Sequence, residues 1–179
     1  MTASDDRELA FRRIYEANYA RITAFARRRV DGADVDDVVA ETFLVAWRRL
    51  GAVPGGERTL PWLYGVARRV VSERRRSGRR RDRLVTRLGG LRPDDDARAS
   101  DVDQFDEHAR VQAALALLRE RDQEILRLAE WEEMTTAEIS VVLECSPNAS
   151  AIRLHRAHKR FAKALGAVDA RIGAVRQGE

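Results

Sequence analysis

The side chains of this 179-residue chain that could do chemistry are charged rather than nucleophilic, and 31 of the 33 basic ones are arginine. Between Ala67 and Arg87 stand ten of them (Arg68, Arg69, Arg74, Arg75, Arg76, Arg79, Arg80, Arg81, Arg83 and Arg87) against only Glu73 and Asp82, a local charge of +8. From Pro93 to Glu107 the sign inverts: Asp94, Asp95, Asp96, Asp101, Asp103, Asp106 and Glu107 face only Arg98, a local charge of −6. Arg153 to Lys163 then brings five basic residues and no acid. The net charge of +4 conceals this pattern. Guanidinium groups at such density suit phosphates, so the order basic, acidic, basic reads as two polyanion-binding ends around a segment that nucleic acid would repel. Either basic run standing alone would read equally well as a solvated helix face.

Other chemistries find little support. The acids at Asp34 to Glu41 and Asp94 to Asp106 fall on a helix and a linker, without a phosphate loop, a nucleophile with its base, or a metal constellation, so no catalytic residue is expected. One cysteine, Cys145, and three histidines exclude a disulfide scaffold and a zinc finger. His155 and His158 read as ordinary exposed side chains and Cys145 as a small apolar plug, so neither a metal nor a cofactor is expected. Hydrophobic residues make up 44% and charged residues 35%, enough for real cores and too charged for a membrane protein. The N-terminal MTASDDRELAFRR carries charges where a signal segment would be apolar, so the expected location is cytoplasmic, without membrane insertion.

The elements that must position these charges all read as helices. Phe11, Ile14, Tyr15, Tyr19, Ile22, Phe25, Ala26 and Val30 form one stripe at steps of three and four. After a break at Asp31-Gly32, Val35, Val38, Val39, Thr42, Phe43, Ala46, Trp47 and Leu50 repeat the spacing up to Gly51, a residue suited to a left-handed helix end. Residues 51–59 read as a loop, and a third helix from about Pro61 buries Leu63, Val66, Ala67 and Val70 before running into the arginine patch. Residues 88–107, rich in Gly, Pro and Asp, read as a flexible acidic linker; its last 17 residues, fully extended, would span roughly 55 to 60 Å.

Beyond it, helices through Val111, Ala114, Leu115 and Leu118, and through Ile125, Leu126, Leu128 and Ala129, precede Thr135-Thr136-Ala137-Glu138, a capping box for a short helix holding Ile139, Val142 and Leu143. A tight turn at Glu144-Cys145 leads to Ser146 as N-cap and Pro147 as first helical residue, with Ser150, Leu154, Ala157 and Phe161 turned inward. This is a helix-turn-helix pattern, in which the second helix reads the major groove. With no alternating strand pattern, the fold class is all-α: two small helical domains, the second a helix-turn-helix domain. The domain ranges are 1–87, 88–107 for the linker, 108–167, and 168–179 as a C-terminal tail without an assignable role.

Two blocks in this order resemble a known family. Asp36-Asp37-Val38-Val39-Ala40-Glu41-Thr42-Phe43-Leu44-Val45-Ala46-Trp47 with Trp62-Leu63-Tyr64-Gly65-Val66-Ala67-Arg68 is similar to the second conserved region of extracytoplasmic-function bacterial sigma factors. Arg121-Asp122-Gln123-Glu124-Ile125-Leu126, Ala137-Glu138-Ile139 and the stretch from Ser146 to Ala157 resemble their fourth. The resemblance implies a non-catalytic initiation subunit that binds the β and β′ subunits of core RNA polymerase. It would recognise promoter DNA, double-stranded at the −35 element and single-stranded at the −10 element, help melt the latter, and be held in check by an anti-sigma protein.

Carried over residue by residue, the resemblance implies polymerase docking through Asp36, Asp37, Glu41, Phe43 and Trp47, although the helical spacing of Phe43 and Trp47 with Val39 also fits core packing. Contacts to the −10 element fall to Trp62, Arg68, Arg69, Ser72, Arg75 and Arg76, with Trp62 and Tyr64 the available aromatics and Trp62 better suited to anchoring the core. For the −35 element they fall to Asn148, Ala151, Ile152, Arg153, His155, Arg156 and Lys159. Among these, Asn148, His155 and Arg156 suit base reading, Ala151 or Ile152 a thymine methyl, and Arg153 and Lys159 phosphate. Ala40 and Arg69 stand where the family often has Gln and Asn, and Glu144 where a Gly is common. A stand-alone helix-turn-helix regulator, its first domain used for dimerisation or sensing, is the alternative at this stage.

Overall fold

The computed structural model describes residues 3–87 and 107–177. All of their regular structure is helical: α1 Ala3–Arg27, α2 Gly32–Arg48, short 3-10 turns at Leu50–Ala52 and Gly56–Arg58, α3 Thr59–Arg87, α4 Glu107–Ala116, α5 Glu120–Glu130, α6 Thr136–Val142 and α7 Pro147–Gln177. The residues expected to form the acidic linker lie, apart from Glu107, outside the described residues. The helices group into two compact units, one built on α1 to α3 and the other on α4 to α7.

In the first unit the apolar stripes meet as their spacing requires. Ile22, Phe25 and Ala26 of α1, Val38 and Ala46 of α2, and Leu63 and Ala67 of α3 are almost wholly removed from solvent. Burying side chains of this size contributes about 1.5–3 kcal/mol each for the larger aliphatics and Phe, which is what holds three otherwise arginine-rich helices together. Phe25 stacks on Tyr64 with ring centroids 4.9 Å apart, joining α1 to α3. Thr42 is buried without cost because its Oγ1 donates to the Val38 carbonyl at 2.7 Å.

Several local expectations are corrected. The first helix ends at Arg27 rather than Val30; the Arg29 amide bonds the Ala26 carbonyl at 2.8 Å, an i to i−3 bond that tightens the last turn. Tyr15 and Tyr19, placed on the buried stripe by spacing, remain 38% and 40% exposed at the edge of the aromatic group. Gly51 is not the left-handed residue: it lies within the 3-10 turn, and Gly56, at φ 63°, takes the positive φ. The expected loop therefore holds two turns, and α3 begins at Thr59, whose Oγ1 donates to the Pro54 carbonyl at 2.6 Å.

In the second unit Ala114 and Leu115 of α4, Ile125 and Leu128 of α5, Ile139 of α6 and Ala157 of α7 are buried. Ion pairs fasten α7. Asp122 of α5, itself buried, accepts from Arg160 at 2.9 Å, and Asp169 accepts from Nε and Nη2 of Arg110 at 2.9 and 2.6 Å. The stretch from Val168, given no role by the sequence, continues α7 as far as Gln177, and Val168 is buried. An i, i+3, i+4 pattern survives there in Leu165, Val168, Ile172 and Val175, a signal that the glycines at 166 and 173 obscure.

Candidate nucleic-acid interface

The helix-turn-helix is assembled from the bonds its residue types allow. The Glu138 amide donates to Thr135 Oγ1 at 3.3 Å while Glu138 Oε2 accepts from the Thr135 amide at 2.8 Å and hydroxyl at 2.7 Å, a complete capping box at the start of α6. The turn is closed by the Cys145 amide on the Ser140 carbonyl at 3.0 Å, with Glu144 in the left-handed region at φ 52°. Ser146 Oγ then accepts from the Ala149 amide at 3.2 Å, capping α7 with Pro147 as its first residue. Ser150 is fully buried; its Oγ lies 2.6 Å from the Thr136 carbonyl oxygen and 2.8 Å from that of Pro147, so one hydroxyl proton is shared between the two helices.

With Ser150 and Ala157 turned inward, the outer face of α7 is set. Asn148, Ala151, Ile152, Arg153, His155, Arg156 and Lys159 are all exposed, each of the seven residues expected for duplex contact. Asn148, Ala151, Ile152, His155, Arg156 and Lys159 follow steps of three and four along one stripe, with Arg153 on its flank. His158 is turned away: its Nε2 lies 2.9 Å from Glu130 Oε1 on α5.

On α3, Arg69 and Arg76 are exposed, whereas Trp62, Arg68, Ser72 and Arg75 are half-buried. Arg75 Nη2 donates to the Arg29 carbonyl at 2.7 Å, so part of its donor fan holds the end of α1. Tyr64 is 2% exposed and stacked on Phe25, which removes it as a platform for a base and leaves Trp62 as the aromatic with open surface. The helix continues well past its buried residues, as far as Arg87.

Of the five residues expected to meet polymerase, Asp36, Asp37 and Glu41 are exposed on α2. Phe43 is not available to a partner: at 3% exposure it packs on Tyr15, with centroids 4.7 Å apart, and on Phe11 edge to face at 6.5 Å. Packing is thus the role the structure gives it, as its spacing with Val39 allowed. Trp47 is half-buried against Phe11 at 5.1 Å, and Arg7 both sits 4.9 Å above its ring and donates to its carbonyl at 3.0 Å.

Sequence reading missed Arg74. Its Nη1 is 3.0 Å from Asp34 Oδ1 and its Nη2 3.0 Å from Asp37 Oδ2, one fork bridging two carboxylates a turn apart on α2. The i, i+3 spacing of the two acids was visible, but nothing in a run of ten arginines marks which one faces them.

Comparison with known proteins now bears on these surfaces. Residues 14–81 match the family model for sigma-70 region 2, and residues 108–161 the model for sigma-70 region 4. The chain is an extracytoplasmic-function RNA polymerase sigma factor. This sigma factor is 26% identical over 166 residues to the RNA polymerase sigma factor CarQ of Myxococcus xanthus, covering 92% of this chain and 94% of that one. It is 27% identical over 150 residues to the ECF RNA polymerase sigma factor SigL of Mycobacterium tuberculosis, covering 82% and 83%. Among solved structures it shares its fold with the sigma factor RpoE of Bartonella quintana, crystallised with the anti-sigma factor NepR (TM-score 0.63, 20% identity, 87% of this chain and 96% of that one). A second likeness is to CnrH in complex with the cytosolic domain of CnrY (TM-score 0.59, 22% identity, 90% and 97%). A free-standing helix-turn-helix regulator would leave the region 2 match without an explanation. No helix among the described residues of this sigma factor is long and apolar enough to cross a membrane.

Proposed function

We propose that this sigma factor acts in the cytoplasm without catalysis, lending core RNA polymerase its binding energy for one class of promoter. Residues 1–87 form the part that meets polymerase and the −10 element, 88–107 an acidic connector, and 108–167 the part that meets the −35 element. The supporting observation is that both sigma-70 regions match one chain in order, each over a unit whose exposed face carries the charge its task requires.

Polymerase docking runs through Asp36, Asp37, Glu41 and the open edge of Trp47 on α2. Phe43 supports them from beneath. On the −10 side Arg69 and Arg76 take phosphates, while Trp62, Arg68, Ser72 and Arg75 offer an aromatic edge and donors to unstacked bases. On the −35 side Asn148, His155 and Arg156 read base edges, Ala151 and Ile152 meet thymine methyls, and Arg153 and Lys159 hold the backbone. The solved sigma factor RpoE, which has the same fold, is bound to the anti-sigma factor NepR, and an anti-sigma protein is proposed as the regulator of this chain too.

The deciding experiment is reconstitution with core RNA polymerase, followed by transcription from a genomic DNA library. Polymerase binding together with new transcripts whose start sites share two spaced motifs is the expected result. Tight binding of a palindromic duplex by the chain alone, as a dimer and without polymerase, would overturn it.

A further inference from the structure

Lysine is almost absent from this chain: 31 of its 33 basic residues are arginine, and the two lysines, Lys159 and Lys163, both stand on α7. The difference is chemical as well as numerical. A guanidinium keeps its proton in proteins, whereas a lysine amine that sheds one becomes a nucleophile and a target of acylation. The lysine cations, whose charge acylation can remove, are therefore confined to one helix of the second unit.

Both lysines are exposed, one turn apart, but their surroundings differ. Side chains on a helix lean toward its N-terminus, over the residues three and four positions before them. For Lys159 these are Arg156 and His155, both exposed. For Lys163 they are Arg160 and Lys159, and Arg160 is engaged by Asp122 at 2.9 Å. Of the two amines, only that of Lys159 thus has an imidazole on the adjoining turn to accept a proton. The guanidinium next to it suits phosphoryl oxygens. Attack on an acyl phosphate uses both groups, one for the proton and one for the leaving phosphate.

We infer that Lys159 is an acylation site whose donor is an acyl phosphate, and that its acylation withdraws a cation from the outer stripe of α7. Lys159 Nζ forms a C–N bond to the carbonyl carbon; the bond from that carbon to the phosphoryl oxygen breaks, and phosphate leaves with the electron pair against Arg156. Of the two protons the ammonium sheds, one departs on hydrogen phosphate and one passes through His155 to water, and nothing is oxidised or reduced. The product amide carries no charge. The site rests on the geometry of α7, and its consequence for duplex binding rests on the −35 reading proposed above.

The test treats the full chain with acetyl phosphate at fixed pH and ionic strength, and peptide mass spectrometry follows both lysines. Acetylation of Lys159 about fivefold faster than of Lys163 is expected, the scale of an exposed charge contact. His155→Gln and Arg156→Ala should each bring Lys159 down toward the Lys163 rate and leave Lys163 itself unchanged, which also shows that the helix is kept. With N-acetoxysuccinimide, an acetyl donor without phosphate, the dependence on Arg156 should vanish; its persistence would overturn the acyl phosphate as donor. Equal rates at the two lysines, or a Lys159 rate that ignores both substitutions, would overturn the site.

A Lys163→Arg chain, acetylated to completion and reconstituted with core RNA polymerase, tests the consequence. The salt slope of −35 duplex binding should fall by about 1, as in unmodified Arg153→Ala. A fall in Arg153→Ala without one on acetylation would overturn the consequence and leave the −35 reading standing. No fall in either would overturn the consequence together with that reading.

Discussion

The Ser150 hydroxyl lies 2.6 Å from the Thr136 carbonyl oxygen, so α7 is joined to α6 by a buried side chain. A helix–helix angle in this motif decides which residues reach the groove. Here a buried serine ties the two helices together at the point where they meet.

Replacing it should therefore be felt twice. Ser150→Ala removes the shared hydroxyl and should cost the second unit about 1 kcal/mol. Hydrogen exchange of the α6 and α7 amides is the suitable probe, because a chain of two units does not have one unfolding free energy. Duplex binding by the holoenzyme should fall with it; unchanged protection would show that the hydroxyl is incidental.

Glu144 carries the opposite expectation. A non-glycine residue at φ 52° stands in a region that costs roughly 1 kcal/mol or more for an L side chain, and glycine is free of that cost. Glu144→Gly should stabilise the second unit by several tenths to about 1 kcal/mol in the same exchange measurement. A loss of stability would mean that the Glu144 side chain contributes more than its backbone conformation costs.

On the proposed reading, the exposed face of α7 divides into positions that hold and positions that read. Arg153→Ala and Lys159→Ala should each lower the salt slope of holoenzyme binding by about 1 and weaken all sequences alike. Asn148→Ala and Arg156→Ala should instead relax the preference at one base pair by about 1–3 kcal/mol. Binding measured across a set of −35 variants at several salt concentrations separates the two behaviours, and a uniform loss for Arg156→Ala would move that residue to the backbone group.

On α2 the acids should separate by whether they also hold the fold. Asp37 pairs with Arg74, so Asp37→Ala should reduce stability modestly, with a coupling to Arg74→Ala of about 0.5 kcal/mol, as befits a half-exposed pair. Asp36→Ala and Glu41→Ala should leave stability unchanged and weaken polymerase affinity. A double-mutant cycle read by hydrogen exchange of the α2 and α3 amides, alongside a polymerase titration, measures both.

Much of this was legible in the residues because local chemistry decided it. The capping box at Thr135 and Glu138, the Ser146-Pro147 start of α7 and the inward turn of Ser150 follow from side chains that bond within a few residues of themselves. The outer face of α7 followed from period alone. What the residues withheld was long-range. Spacing put Tyr15 and Tyr19 inside although the helices leave them at an edge, and it left Phe43 and Trp47 undecided between partner and core. The Arg74 fork depends on which arginine faces which helix, and ten near-identical side chains carry no mark of that.

The length of α7 has a practical side. The region 4 match stops at residue 161, yet the helix continues, with Val168 buried and Asp169 gripped by Arg110 from α4. The outline of a family and the outline of what stays folded therefore differ in this chain. A fragment trimmed to the matched residues would sever α7 just beyond the face proposed for DNA and discard the Arg110–Asp169 clasp, so it should bind promoters more weakly for a reason no promoter contact would explain.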